Sequence, residues 1–297
     1  MAIDVRAYLE AKADLDRRSL NREVLSVFGR RLKGKAKVRL LEVGCGTGVH
    51  LCRLAEVLGA KELELTGLER EVSLVRAAPE LCRKRLESQG WSCWIEYRQA
   101  APVLIGERGE QNLRLSFICA DLWEFTSDSK WDAVCAHFFL DLVPVRQALF
   151  RTALWLEPQG LLYASANYDG GTFLFPPEEG FEANLLARYD ASMEERRVAG
   201  EECGGARSAR RLFSVLCQTG WHVLAYGSSD WNLTPVEGSY RAADRTVLLA
   251  LLEMIASEGQ TLDPAASSAW YQRRLAQLQQ GELGMIIHQV DLVACRP

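Results

Sequence analysis

A glycine-rich loop between an apolar segment and a helical pattern constrains the fold of this chain most. Residues 38–43 form an apolar run about the length of a buried strand, and Gly44, Gly46 and Gly48 follow it directly. Residues 50–58 then place apolar side chains at helical spacing. A strand, a glycine loop and a helix in this order open an α/β sheet, and the loop lets the backbone approach a ligand at the positive end of the helix.

The first half of the chain repeats this alternation of strand and helix. Alternating strands and helices predict a mostly parallel sheet that is covered on both faces, so the predicted fold class is α/β. After residue 166 the alternation stops, and residues 167–180, with two glycines and two prolines, are predicted as a long irregular loop. The acidic segment 106–111 is also predicted as a loop. Strands are predicted at 62–68, 113–119, 131–136, 160–166, 221–226 and 284–294, a hairpin arm at 94–98, and helices at 3–32, 72–88, 143–156, 183–199, 209–217, 243–257 and 266–280.

The composition describes a globular protein without an overall electrostatic preference. The 297 residues are 48% hydrophobic, and 35 basic against 39 acidic residues give a net charge of -4, which disfavours nucleic acid as a partner. Residues 17–39 hold nine Lys or Arg and one acid, and form either a solvated helix end with its linker or a phosphate-attracting patch.

The termini and the cysteines restrict the compartment and the cofactor class. No signal-like apolar run occurs near the N-terminus, and the longest apolar run, 247–256, is far too short to span a bilayer, so a cytoplasmic protein is expected. The nine cysteines form no CxxC pair, which indicates neither a disulfide framework nor a metal site. Most of them are predicted to be small buried hydrophobes.

The segment from Leu40 to Gly48, with the sequence Leu-Leu-Glu-Val-Gly-Cys-Gly-Thr-Gly, resembles the first motif of the class I S-adenosylmethionine-dependent methyltransferases. Its Gly-x-Gly-x-Gly spacing, with Val49 where a last glycine would stand, speaks against a dinucleotide loop. The resemblance covers about residues 36–166. It implies an open Rossmann-like sheet of the seven-strand type and S-adenosyl-L-methionine as the cofactor.

The same resemblance implies a set of cofactor contacts. Glu69 falls where the family binds the ribose hydroxyls, and Asp121 falls where its acid meets the adenine amino group. Segment 131–138 resembles the strand that runs beneath the cofactor, and Glu42 would orient the cofactor's amino-acid end. As ordinary residues, Glu69 could cap a helix and Asp121 a turn. The predicted cofactor site further contains Gly44, Cys45, Gly46, Gly48, Arg70, Leu122 and His137.

A weaker resemblance, to uncharacterised bacterial members of the superfamily, lies at the two ends of the chain. It implies an N-terminal helix that folds over the cofactor, with Arg18 and Asn21 near the methionine carboxylate. A surface salt bridge is the alternative for Arg18. The predicted organisation is a helical cover, 1–35, and a methyltransferase domain, 36–297, with substrate-forming insertions at about 167–220 and 231–283.

Four residues are candidates for catalysis, because ligands bind at the carboxyl ends of the strands in open α/β sheets. His137 is a candidate general base, since an ordinary histidine titrates near neutrality, although a backbone contact to the cofactor is the alternative. Asp141, one helical turn later, could orient His137, bind substrate or cap a helix. Tyr168 and Asp169, on the predicted irregular loop, could pair as hydroxyl and carboxylate over the acceptor.

Five arginines between residues 196 and 211 offer a grip for an anionic substrate. Arginine binds carboxylate or phosphate with two hydrogen bonds, so Arg196 and Arg207 are candidate substrate residues, with solvated side chains as the alternative. Tyr189 and Trp231 could line the apolar part of that pocket, unless they belong to the core.

The expected function is methyl transfer from S-adenosyl-L-methionine to a small molecule, which the arginines suggest carries a carboxylate or a phosphate. Methylation of RNA is an alternative through the basic run 17–39, and a nonenzymatic cofactor-binding protein is another. Whether the chain forms a homodimer is left open.

Overall fold

The computed structural model describes residues 5–97 and 102–296, and the side chains of 5–7 are outside the description. The predicted helix residues 3 and 4 and the predicted hairpin residue 98 lie outside these ranges. The helices are α1 (Val5–Ser19), α2 (Arg22–Leu32), α3 (Val49–Val57), α4 (Val72–Ser88), α5 (Val145–Trp155), α6 (Phe181–Glu194), α7 (Ser208–Gln218), α8 (Ala242–Gly259) and α9 (Pro264–Gln280). The strands are β1 (Lys37–Val43), β2 (Glu62–Glu69), β3 (Ser92–Tyr97), β4 (Pro102–Arg108), β5 (Gln111–Cys119), β6 (Trp131–His137), β7 (Leu156–Phe175), β8 (Arg197–Val198), β9 (Glu201–Glu202), β10 (His222–Ser228), β11 (Trp231–Leu233) and β12 (Gly284–Cys295).

Within the described residues, one large sheet runs in the order β10-β12-β7-β6-β1-β2-β5-β4-β3, and β11 adds to β12. The neighbours from β5 to β7 are parallel, whereas β12 is antiparallel to both β7 and β10. After β1 the chain adds β2 and β5 on one side of β1, and it then returns to form β6 and β7 on the other side. This reversal leaves a crevice at the carboxyl ends of β1 and β6, where open α/β sheets bind their ligands.

Helices cover both faces of the sheet, and the apolar core lies between them. One cluster packs Phe28, Leu51 and Ala78, from α2, α3 and α4, against the sheet. A second cluster packs Leu149 of α5 and Leu212 of α7 against the other face. The predicted α/β class with a mostly parallel sheet is therefore confirmed.

A third apolar cluster extends the molecule beyond the first two. It joins α1, α6, α8 and α9 to the far ends of β7 and β12, with Trp270 and Leu248 fully buried in it. The helices of the predicted insertions thus pack on a continuation of the same sheet.

The prediction of an irregular loop at 167–180 is wrong. β7 continues to Phe175 and pairs with β12 as far as Gly284. Glycines and a positive φ at Ala166 accompany shifts in the pairing register, so the strand bends there instead of ending. The ladder hydrogen bonds of β12 outweigh the local turn signal of the glycines.

Two further expectations are corrected. Segment 106–111 contains the end of β4 and the tight turn into β5, with Gly109 at φ +59°, so it belongs to a hairpin. The single helix expected over 3–32 is two helices, because Asn21 ends the first and caps the second by accepting hydrogen bonds from the backbone of Glu23 and Val24. Six of the nine cysteines are buried, as expected, and Cys119 and Cys217 are exposed.

Candidate active site

A cavity of about 740 Å³ lies at the carboxyl ends of the central strands, with α1 forming one wall. The glycine loop after β1 lines it, together with Glu69 at the end of β2, Asp121 after β5 and His137 at the end of β6. Four consecutive parallel strands, β6, β1, β2 and β5, therefore contribute to one site.

Two glycines of the loop, Gly44 and Gly48, have no room for a side chain. A Cβ on Gly44, whose φ is +65°, would lie 2.2 Å from the ring of Phe139. A Cβ on Gly48, at φ +75°, would lie 2.7 Å from the ring of Phe117 and 2.8 Å from the Cys82 sulfur. The loop is thus held close under aromatic rings where it lines the cavity.

Two acids at the cavity are fixed by backbone amides. Glu69 accepts a hydrogen bond from the Gly46 amide at 3.0 Å and one from the Glu71 amide at 2.9 Å. Asp121 accepts one from the Trp123 amide at 2.9 Å, so it does cap a turn, and the exposed Arg70 lies 3.9 Å from its other oxygen. Ionised carboxylates have further acceptor positions, so both acids keep the capacity to bind hydroxyl or amino donors.

The inner end of the cavity contains two stacked histidines. His50 and His137 lie with ring centroids 4.2 Å apart and planes 11° apart. His50 donates from Nδ1 to the carboxylate of Glu42 at 2.8 Å, because a carboxylate only accepts. Glu42 Oε2 and His50 Nε2 have no hydrogen-bond partner within the described part of the chain, although both residues are buried.

α1 adds a buried ion pair on the other side of His137. Lys12 Nζ lies 2.7 Å from Asp16 Oδ2, and both residues are less than 10% exposed. His137 Nε2 lies 3.6 Å from the same oxygen, while its Nδ1 lies 2.8 Å from the Ser165 hydroxyl. The Lys12 ammonium also sits 3.6 Å from the centre of the Phe138 ring, a cation–π contact.

This environment argues against His137 as the general base. Burial, and then the neighbouring His50, lower the pKa of His137 to about 3. Its two ring nitrogens face Ser165 and Asp16, which orient the ring as part of the wall. The ring is therefore neutral and a weak base near pH 7.

The structure gives Arg18 and Asn21 roles outside the cavity wall. Arg18 pairs with Asp14 and with Asp244 of α8, as in the salt-bridge alternative. Asn21 caps α2 and donates from its side chain to the Ser228 carbonyl. The expected contact of these two residues with a methionine carboxylate is not supported, because their polar groups are directed at α2, α8 and β10.

Asp141, Tyr189 and Arg196 come together beside the cavity. Arg196 Nη1 lies 3.5 Å from Asp141 Oδ2, and burial raises the pKa of Asp141 despite this contact. Burial likewise raises the pKa of Tyr189 to about 12, with Arg196 and Asp141 acting on it in opposite directions. Asp141 does not orient His137, whose nitrogens face Ser165 and Asp16.

The expected pairing of Tyr168 with Asp169 is wrong. Successive residues of a strand point to opposite faces, and both residues lie within β7. The Tyr168 hydroxyl donates to Asp190 at 2.6 Å, whereas Asp169 accepts from Arg210. Both side chains therefore connect helices to β7.

The remaining substrate candidates do not gather on the cavity. Trp231 is buried behind Phe138, with ring centroids 5.1 Å apart, and Arg207 is exposed on the short turn that precedes α7. The other arginines of this cluster form ion pairs with acids of the same chain: Arg197 with Glu202, Arg210 with Asp169 and Arg211 with Glu194. The predicted anion grip is thus largely neutralised within the chain.

Four residues of the site were missed by the sequence analysis. Lys12 and Asp16 lie one helical turn apart on α1, and His50 and Arg53 lie three apart on α3. Arg53 is a half-buried cation at the cavity. It donates a hydrogen bond to the Arg17 carbonyl at 3.0 Å, which connects α3 to the end of α1. A signal was available only on α3, where polar side chains recur every three residues among apolar ones, because α1 is polar along most of its length.

Comparison with known proteins supports the fold. The S-adenosylmethionine-dependent methyltransferase from Thiobacillus denitrificans, solved with S-adenosyl-L-homocysteine, aligns over the whole of both chains at 18% identity with a TM-score of 0.50. The fold is that of a class I methyltransferase. A methyltransferase from Geobacter sulfurreducens, also solved with S-adenosyl-L-homocysteine, aligns over both whole chains at 17% identity with a TM-score of 0.48. No family model and no curated protein sequence matches the chain.

The methyltransferase fold agrees with the strand order. From β5 to β10 the sheet reads β5-β2-β1-β6-β7-β12-β10, with β12 as the one reversed strand of these seven, which is the seven-strand arrangement that the first motif implies. In the described ranges, no cluster of His, Cys, Asp or Glu has the makings of a metal site. No helix there is both long and apolar enough to cross a membrane.

Proposed function

We propose that this protein transfers a methyl group from S-adenosyl-L-methionine to a small-molecule acceptor. The observation that carries the proposal is the cavity at the carboxyl ends of β1, β2, β5 and β6, with the glycine loop, Glu69 and Asp121 on its wall. The resemblance in sequence assigns these residues to the positions at which the class I methyltransferases bind their cofactor, which supports the proposal.

The residues fit this cofactor by their chemistry. Glu69 and Asp121 would accept hydrogen bonds from the ribose and from the adenine amino group, and Leu122 offers an apolar contact. The unpartnered Glu42 Oε2 and His50 Nε2 would face the amino-acid end, whose ammonium supplies donors. When bound, the cofactor supplies a methyl group that is electrophilic because it is attached to a positively charged sulfur.

The wall of the cavity would exclude water from the reacting atoms. Leu9, Ala13 and Phe138 add apolar surface, and the buried histidine pair fills the space between Glu42 and Asp16. A displacement at carbon gains from alignment and from a dry environment more than from acid or base strength.

A small molecule is the favoured acceptor, since acids outside the basic run 17–39 pair with five of its nine basic side chains. Arg17 and Arg18 pair with Asp14, Lys35 pairs with Asp132, and Lys37 and Arg39 pair with Glu64. The expectation that the acceptor carries a carboxylate or a phosphate has less support, because the arginines at 196–211 are largely paired.

Calorimetric titration with S-adenosylhomocysteine, beside NADH as a control, tests the cofactor. Micromolar binding of the first alone would support the proposal, and equal or better binding of NADH would contradict it. Transfer of a labelled methyl group into a low-molecular-weight cell fraction then separates an enzyme from a protein that only binds the cofactor.

A further inference from the structure

One carboxylate oxygen at the cavity is left without a partner after the cofactor residues are assigned. Asp16 Oδ2 accepts from Lys12 Nζ at 2.7 Å, but Asp16 Oδ1 is buried and receives no hydrogen bond from the residues described. Lys12 and Asp16 both line the cavity. A buried acceptor without a donor costs about 1 to 3 kcal/mol, so a ligand that brings a donor gains by binding there.

Asp16 is separated from the other unpartnered atoms by the histidine pair. Glu42 lies at Nδ1 of His50, and Asp16 lies near Nε2 of His137, with the two rings stacked between them. Glu42 and His50 belong to the glycine-loop side of the cavity, whereas Asp16 belongs to α1. Under the proposed function, this leaves Asp16 for a ligand other than the amino-acid end of the cofactor.

The surroundings of Asp16 select the charge of that ligand. Asp16 Oδ1 is a carboxylate oxygen and accepts hydrogen bonds only, so the ligand atom that binds it must be a donor. The aromatic ring of Phe138 already holds the Lys12 ammonium on its face. A carboxylate makes its stronger hydrogen bonds to charged donors and repels an anion, so this oxygen favours a cationic donor over an acid.

We propose that Asp16 binds the methyl acceptor and that the acceptor is an amine. This inference rests on the proposed function. The ammonium donates one hydrogen bond to Asp16 Oδ1 and loses a different proton to water. The freed nitrogen lone pair forms the new N–C bond to the methyl group, the C–S bond of the donor breaks, and its electron pair stays on sulfur as a thioether.

Ligand-detected NMR with a simple amine tests this without knowledge of the natural acceptor. The protein is first saturated with S-adenosylhomocysteine, and saturation transfer is then measured to n-butylammonium, n-butanol and butyrate in parallel. We expect a signal for n-butylammonium well above those of the other two. We also expect Asp16→Asn to weaken n-butylammonium binding by about tenfold, because a charged hydrogen bond is lost.

Two variants guard the test against a folding defect. Asp16→Asn leaves the Lys12 ammonium without its carboxylate, so the double variant Lys12→Met with Asp16→Asn is measured beside it. Asp14→Asn is the matched control on the same helix, since Asp14 pairs with the exposed Arg17 and lies outside the cavity wall. S-adenosylhomocysteine affinity is measured for every variant.

The outcomes separate this inference from the proposed function. If S-adenosylhomocysteine does not bind the wild type, both the proposed function and this inference are wrong. If S-adenosylhomocysteine binds but n-butylammonium does not, or binds equally well to both Asp16 variants, the inference alone is wrong. A preference for butyrate would also overturn it. So would an Asp16→Asn variant that loses affinity for S-adenosylmethionine but not for S-adenosylhomocysteine, because Asp16 would then face the positively charged sulfur of the cofactor.

Discussion

Protonation of His137 makes the stability of the folded protein depend on pH. Its pKa lies at about 3 in the folded protein and near 6.5 in an unfolded chain, because burial and His50 disfavour the charged ring. The unfolded state therefore binds more protons as the pH falls below 6.5. The stabilisation by this residue is complete above that pH and is lost progressively down to about pH 3.

We expect this group to remove about 2 kcal/mol from the free energy of unfolding between pH 7 and pH 5. Urea unfolding of the wild type and of His137→Gln at both pH values measures it, and the variant should show a smaller loss. His222→Asn, at an exposed histidine of β10, should keep the pH dependence of the wild type. An equal loss in His137→Gln and the wild type would contradict the assignment.

Glu69 and Asp121 carry the second prediction. We expect Glu69→Ala and Asp121→Ala each to weaken S-adenosylhomocysteine binding by about 1 to 3 kcal/mol, because each removes hydrogen bonds to a buried ligand. Calorimetry measures the affinity, and Asp128→Ala, on the exposed turn after Asp121, is the control. Unchanged affinity in both site variants would contradict the placement of the cofactor.

A comparison of alanine variants at Gly44 and Gly109 distinguishes a steric clash from the cost of a positive φ. Gly44→Ala should weaken S-adenosylhomocysteine binding at least tenfold, because a Cβ there collides with Phe139 and the loop has to shift. Gly109→Ala is the matched control, since its φ of +59° is similar and no atom lies within 4 Å of the added Cβ. Both variants pay the cost of a positive φ, about 1 kcal/mol, so only the difference reports on the loop.

At the scale of single elements, the break between α1 and α2 sets where the N-terminal helices can lie. Asn21 caps α2 and also donates from Nδ2 to the Ser228 carbonyl of β10 at 2.9 Å. Asn21→Ala should cost about 1 to 2 kcal/mol in unfolding free energy. Asp263→Ala, which removes a cap from α9 without a second contact, should cost less in the same urea titration. A larger cost for Asp263→Ala would show that the bond to Ser228 adds nothing.

The elements also show what the sequence can and cannot predict. The strand at 62–69 and the helix at 72–88 were predictable, because their periodicity and their glycine or acidic boundaries are local. The continuation of β7 was not, since Gly170 and Gly171 signal a turn and only the distant β12 supplies the pairing. Lys12 and Asp16 were missed for the same reason, because nothing near them in sequence indicates that α1 covers the ends of β1 and β6.

At the scale of the whole molecule, a buried ion pair ties the C-terminal helices to the sheet. Arg274 of α9 is fully buried and binds Glu182 of α6 and the Pro176 carbonyl just after β7. Glu182 also accepts from the indole of Trp270 at 2.8 Å. The pair holds α6, α9 and the end of β7 together.

Arg274→Met should destabilise the protein by about 3 to 5 kcal/mol, because it leaves Glu182 as an unpaired buried charge. Thermal and urea unfolding measure the loss. The double variant Arg274→Met with Glu182→Gln should recover part of it, and Arg273→Met, at the half-exposed neighbour that pairs with Glu178, should cost little. A double variant no more stable than Arg274→Met would contradict this explanation.

The 20-residue strand β7 has a mechanical consequence for the molecule. β7 and β12 pair from the carboxyl ends of the central strands out to the C-terminal helices, so one backbone ladder, with two register shifts, connects these two regions. We therefore expect the radius of gyration in solution to stay constant on ligand binding. The amide hydrogens of α1, which forms one wall of the cavity, should become protected.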